Sequence, residues 1–147
     1  MGQLRLAPAS PLDFLDALDD GGVRHIYRTR PAFAEAARQV AASTGVTVKT
    51  DDGELVLVAG LQPLGDEALA LWFAPGAAMR RHVVSAVLGI RRLLDQIAGD
   101  VAPCTVKAAT YPGGVAGPRL LRLCGFEATG LLESARGPVT VWTRRFA

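Results

Sequence analysis

The sequence predicts an α/β fold: a mixed sheet with helices on both of its faces. Three stretches carry that expectation. Every residue of Leu55–Ala59 is apolar and Glu67–Phe73 repeats the pattern, so these strands are expected to be covered on both faces and to sit side by side inside the sheet. Met79–Ala98 reads as one long helix, with Val83, Val87, Ile90, Leu94 and Ile97 on its apolar side and Arg80, Arg81, Arg91, Arg92 and Asp95 opposite. Gly117–Gly130, GPRLLRLCGFEATG, reads as a short helix that stops at Gly125 and turns directly into a strand. A helix C′ residue needs positive φ, which glycine adopts at least cost. Leu120, Leu121 and Leu123 then fill one side of that helix, and Phe126 locks against its last turn.

From the N-terminus, Gln3–Ala7 alternates Leu4 and Leu6 with Gln3 and Arg5, the period of a strand. Ser10-Pro11-Leu12-Asp13 opens a helix, with Ser10 as N-cap, Pro11 at N1 and Asp13 at N3; Asp19-Asp20-Gly21-Gly22 ends it. After the linker Val23–Arg28, Thr29-Arg30-Pro31 opens a second helix through about Ala42. Its stripe is Phe33, Ala36, Ala37, Val40 and Ala41, and Gly45 terminates it. Val46–Thr50, the turn Asp51-Asp52-Gly53 and Glu54–Gly60 form a hairpin. Val101–Ala109 is a further strand, Thr110–Gly117 a Gly/Pro-rich loop, and Pro138–Phe146 a closing strand.

A chain of 147 residues with half of them hydrophobic and a fifth charged suits one domain, 1–147, with a sizeable core. The net charge of +2 does not call for a nucleic-acid partner. Lys and Arg total 16, yet only Lys49 and Lys107 are lysines. Cys104 and Cys124 follow no metal spacing and lie in apolar runs, so buried free thiols are expected. His25 and His82 have no ligand-spaced partners, so no metal site is expected. Trp72 and Trp142 read as packing residues. The opening MGQLRLAPAS lacks a signal-peptide core, and no run approaches the ~20 residues of a membrane helix. The expectation is therefore a soluble protein, cytoplasmic during expression, with no membrane partner.

The element order β, α, α, β, β, β, α, β, α, β, β, with its Gly-Phe and closing hairpin, resembles the GNAT acyltransferase fold over essentially the whole chain. That resemblance implies a mostly antiparallel central sheet. It also implies an acyl-CoA site at the strand Glu67–Phe73 and the helix Met79–Ala98, where neighbouring strands splay and the helix N-terminus receives the pyrophosphate. The family carries Arg/Gln-x-x-Gly-x-Gly/Ala at this junction, and its glycines let backbone N–H groups approach the phosphates. This chain has Ala74-Pro75-Gly76-Ala77-Ala78-Met79-Arg80-Arg81-His82, in which Gly76 stands alone. Gly76, Ala77, Arg80 and Arg81 are the candidate cofactor residues if acetyl-CoA binds. Arg80, Arg81 and His82 either hold phosphate by side chain or form a solvated basic helix start.

The family also places Asn near the start of the short helix, and often a Tyr four residues before the Gly-Phe to protonate the leaving thiolate. Leu121 holds that position here, and the chain has no Asn. Tyr111, in the preceding loop, is the nearest tyrosine. Glu54 and Glu67 flank the central strands and are candidate bases for an amine, directly or through water; the plainer reading makes them solvated strand ends.

The glycine-poor junction and the run Pro118-Arg119-Leu120-Leu121-Arg122-Leu123-Cys124-Gly125-Phe126 further resemble a divergent GNAT-like branch in tailed phages, associated with internal virion proteins and particle assembly. Two function classes follow. In the first, preferred on the missing glycines and tyrosine, the acetyl-CoA site is degenerate and the protein is a non-catalytic structural or assembly component that binds virion proteins. In the alternative, it is an N-acyltransferase moving an acetyl group from acetyl-CoA to an amine.

Overall fold

The computed structural model describes residues 4–8, 38, 44–65, 67–110, 116–134 and 137–147. The two expected N-terminal helices lie outside the described residues, apart from Arg38, which is helical; the linker 24–30 and Tyr111 also lie outside. The strands are β1 (Leu4–Pro8), β2 (Thr44–Thr50), β3 (Leu55–Gly65), β4 (Ala68–Pro75), β5 (Cys104–Thr110), β6 (Glu127–Ser134) and β7 (Gly137–Phe146). The helices are α1 (Val83–Asp100) and α2 (Ala116–Leu123). The strand order is β1-β2-β3-β4-β5-β7-β6, so β3 and β4 are central neighbours, as expected. β1/β2, β2/β3, β5/β7 and β6/β7 pair antiparallel, and β4/β5 pair parallel across the α1 crossover. Among the described residues no helix is long and apolar enough to cross a membrane.

The backbone groups into two compact units, Met1–Gln62 with Trp72–Ala86 and Pro63–Leu71 with Val87–Ala147; β3, β4 and α1 run from one into the other. In the first unit, the β2–β3 hairpin turns at Asp51-Asp52-Gly53, with Gly53 at φ +85°. Leu55, Val56, Leu57, Val58, Ala59 and Leu61 are all buried. Successive strand residues face opposite ways, so both faces of this segment are covered, as its unbroken apolar run predicts.

β3 runs to Gly65, five residues past its expected end at Gly60. Gly60 is no breaker here. A Cβ at this position would fall 2.6 Å from Trp72 Cζ2, so the glycine makes room for an indole laid across the strand. β4 departs from expectation in the other direction. Leu69, Leu71 and Ala74 are buried, while Ala68, Ala70, Trp72 and Phe73 are half-buried. An apolar run counts residues, not area, and alanines offer little area to cover.

In the second unit, the parallel ladder between β4 and β5 spans three residue pairs, Ala68↔Thr105 to Ala70↔Lys107, although β4 continues to Pro75 and β5 to Thr110. Trp142 of β7 is buried, and its indole N–H donates to the Thr110 hydroxyl at 2.9 Å. The stop of α2 follows the sequence closely. Gly125 takes φ +88°, its N–H bonds the Arg122 carbonyl at 3.1 Å, and the Phe126 N–H bonds the Leu121 carbonyl at 3.0 Å. These two bonds make a Schellman motif, with Phe126 buried behind it. Leu120 and Leu121 are buried as expected, but Leu123 is 50% exposed. Cys104 and Cys124 are free and buried, as expected.

The long helix needs two corrections. Met79–Arg81 is a separate 3-10 turn, and His82, at φ −130° and ψ 28°, breaks the backbone before α1 begins at Val83. The buried stripe is Ala86, Ile90, Leu93, Leu94 and Ala98, while Val83 is 40% exposed and Val87 and Ile97 are half-buried.

Truncating Leu57 or Leu94 to Ala should cost about 2–5 kcal/mol, because each side chain is fully buried. Leu123→Ala should stay within about 0.5 kcal/mol. Urea midpoints read all three, and equal shifts would contradict this burial pattern.

Candidate functional site

Of the sequence-nominated residues, Glu54, Gly76, Ala77, Arg80 and Arg81 come together where the β2–β3 hairpin meets the turn after β4, all within the first unit. The hairpin end is firmly tied. Thr50 N–H bonds the Glu54 carbonyl at 2.9 Å, Glu54 N–H bonds Thr50 Oγ1 at 3.1 Å, and the Arg5 guanidinium donates to the Asp51 carbonyl at 2.8 Å. Glu54 is thereby presented from a fixed backbone.

The turn is tied to the same hairpin. Gly76 N–H bonds the Val56 carbonyl at 2.9 Å, and Ala78 N–H bonds the Leu55 carbonyl at 3.0 Å. Within the turn, Met79 N–H reaches Gly76 O at 3.1 Å, Arg81 N–H reaches Ala78 O at 3.2 Å, and His82 N–H reaches Met79 O at 3.0 Å. Five N–H groups of Gly76–His82 thus have internal acceptors and are turned away from any ligand.

Gly76 is needed for a reason other than the expected one. A Cβ there would overlap the Leu55 carbonyl oxygen and lie 2.8 Å from Leu55 Cγ. The glycine lets the turn press onto β3; it does not open a path for phosphate. Ala77 is exposed and Ala78 fully buried.

Arg81 donates to Glu54 Oε2 at 2.6 Å, both side chains being roughly half-exposed. Arg80 is exposed, with no partner among the described residues. Thr50, Asp51, Asp52, Glu54, Arg81 and His82 line a cavity of about 290 Å³. Next in sequence comes the first turn of α1, whose first helical bond is Ala86 N–H to His82 O at 2.9 Å. The N–H groups of Val83, Val84 and Ser85 therefore precede any intrahelical acceptor, and Val84 is 74% exposed. These three donors were not among the candidates, because Met79-Arg80-Arg81-His82 reads as uninterrupted helix. The missing N-cap side chain before Val83 is the one sequence signal of a poorly defined start.

The other candidates fall elsewhere. Glu67 immediately precedes β4, while Gly76 follows its end. The eight residues of β4 separate them, roughly 30 Å from one to the other at ~3.3 Å per residue, so Glu67 and the turn lie at opposite ends of this strand. Glu67 instead holds φ +56°, and its carbonyl accepts the Thr105 N–H at 2.7 Å. Leu121 is 1% exposed, a core residue and no proton donor. Among the described residues no cluster of His, Cys, Asp or Glu is fit to hold a metal.

Arg144 joins several elements of the second unit, donating to the Cys124 carbonyl at 3.0 Å and lying 3.5 Å from Asp95 Oδ1. Burial pushes the Cys124 thiol from 9.0 up to about 11, against the lowering pull of Arg91 and Arg144. It is therefore a neutral packing group at neutral pH.

No protein-family profile and no curated protein matches the chain. Solved structures do. An IAA acetyltransferase from Bacillus cereus ATCC 14579 superposes with TM-score 0.72 at 11% identity, covering 98% of this chain and 100% of its own. The spermidine N-acetyltransferase SpeG N152L mutant from Vibrio cholerae gives 0.68 at 15% identity, covering 97% and 94%. An aminoglycoside acetyltransferase solved with coenzyme A gives 0.68 at 14% identity, covering 97% and 95%. The chain has the GNAT fold.

Gly76→Ala should destabilise by about 1–3 kcal/mol, the usual cost of overpacking, whereas removing the half-exposed Arg81–Glu54 pair by Glu54→Gln should cost under about 1 kcal/mol. Chemical melts of both variants decide whether Gly76 serves packing. The raised folded pKa of Cys124 means its stabilising burial is intact below about pH 9 and is lost as pH rises towards about 11. In a series of melts, Cys124→Ala should remove that alkaline fall; an unchanged fall would contradict it.

Proposed function

We propose that the protein is an acyl-CoA-dependent N-acyltransferase that holds the cofactor's pyrophosphate at the first turn of α1. The reading rests on one observation above all. In a GNAT fold, the turn that follows β4 runs into Val83, Val84 and Ser85, three N–H donors at a helix start, with Arg80 and Arg81 separated from them by His82 alone. A helix start with two adjacent guanidiniums favours a multiply charged phosphate group.

The acceptor is an amine. Its nitrogen forms the new C–N bond as the thioester C–S bond breaks; the nitrogen gives up a proton to solvent, and the thiolate takes one up. Leu121 offers none, so solvent supplies it unless Tyr111 does. Glu54 lies beside Arg81, so it belongs with the phosphate end of the site and is no base for the amine.

Binding is weaker than in a glycine-rich junction, since five turn amides are already engaged. Calorimetry should give a dissociation constant between about 0.1 and 1 mM for acetyl-CoA, near −4 to −5.5 kcal/mol. Arg80→Ala should weaken it several-fold, and added salt should weaken it further. Mass spectrometry of amines incubated with protein and acetyl-CoA should find an acetylated product.

A second reading is favoured by the same engaged amides and by the Glu54–Arg81 pair: a GNAT-fold module that has lost the cofactor and binds other proteins. No acetyl-CoA binding at millimolar concentration and no acetylated amine would select it. Nothing found here supports the expected place in a phage particle, and none of the structures named above is a virion protein.

A further inference from the structure

We infer that Glu54 is an internal competitor for the anion site: its carboxylate occupies the Arg81 guanidinium, and a phosphoanhydride must displace it to bind. The inference rests on the phosphate position proposed above and deepens it. Arg81 belongs to the 3-10 turn that leads into α1, within three residues of the donors Val83 and Val84. Its side chain is 61% exposed, and its guanidinium is held at 2.6 Å by Glu54 Oε2. Glu54 is well placed to hold it, because both its N–H and its carbonyl are bonded to Thr50, a residue only 7% exposed. The carboxylate therefore comes from a rigid hairpin end, not from a loop that drifts away.

The surrounding charge strengthens the competition. The cavity shared by Glu54 and Arg81 is also lined by Asp51 and Asp52, so its acidic residues outnumber its basic ones, Arg81 and His82. A monoanion gains little by replacing a carboxylate with another single charge in that field. A pyrophosphate, with several negative oxygens and room for bidentate pairing, can exchange one partner of Arg81 for a stronger one. Glu54 thus sets a charge threshold, admitting phosphoanhydrides and refusing simple carboxylates. It acts through Arg81 and is a selectivity residue, not a catalytic one.

The test compares wild type, Glu54→Gln, Arg81→Ala and the double variant by calorimetry at low salt, with acetyl-CoA, inorganic pyrophosphate and acetate as probes. Circular dichroism first establishes that each variant is folded. Glu54→Gln should tighten acetyl-CoA and pyrophosphate about three- to tenfold and acetate into the measurable range. In the Arg81→Ala background the same change should have less than about a twofold effect, because the contested guanidinium is gone. Tightening of pyrophosphate without any binding of acetyl-CoA would uphold the inference and remove the acyltransferase reading. Acetyl-CoA bound equally by wild type and Glu54→Gln would overturn the inference and leave that reading intact. Weaker binding by Glu54→Gln would also overturn it, since Glu54 would then be orienting Arg81 for the ligand.

Discussion

The turn after β4 is clasped to the start of β3 by two backbone hydrogen bonds, Gly76 to Val56 and Ala78 to Leu55, and the layout of the candidate site depends on that clasp. It explains why Gly76 is a glycine: the space a side chain would need belongs to Leu55. It turns the amides of the loop inwards, where another GNAT-type junction would offer them to phosphate. It also fixes the start of the 3-10 turn, so that Arg81 falls opposite Glu54 and α1 begins only at Val83.

The phosphate site proposed for this chain would work by charge more than by backbone shape. Amides approaching through glycines give a short-range cradle, insensitive to salt. Guanidiniums on exposed side chains give a longer-range attraction that salt screens. The chain keeps the positive helix start and its arginines but sets them against the acidic hairpin end Asp51, Asp52 and Glu54. In the proposed reading, the balance between these groups decides whether a cofactor is held.

The fold was legible to the extent that hydrophobic pattern and turn chemistry were strong. The hairpin at Asp51–Gly53, the doubly covered Leu55–Ala59, the adjacency of β3 and β4, and the Schellman stop at Gly125 all stand in the sequence, because each rests on local rules with few exceptions. What was illegible depended on contacts distant in sequence. Gly60 looks like a strand end until Trp72 is seen lying across it. Met79–His82 looks helical because nothing in those side chains announces that backbone bonds from Ala78 to Leu55 pull the chain into a tighter turn. The site was half legible: Glu54, Gly76, Ala77, Arg80 and Arg81 do come together. Glu67 does not, since it stands at the other end of β4. The donors Val83–Ser85 were invisible because a helix start misplaced by four residues moves every free amide with it.

Amide-resolved NMR during a titration with acetyl-CoA tests the central claim most directly. If the clasp is as described, the Val83, Val84 and Ser85 amides shift as ligand is added. Those of Gly76 and Ala78 stay in place and remain protected from hydrogen exchange, because β3 already holds them. Large shifts and lost protection at Gly76 and Ala78, with Val83–Ser85 unmoved, would contradict it and return the phosphate to the loop.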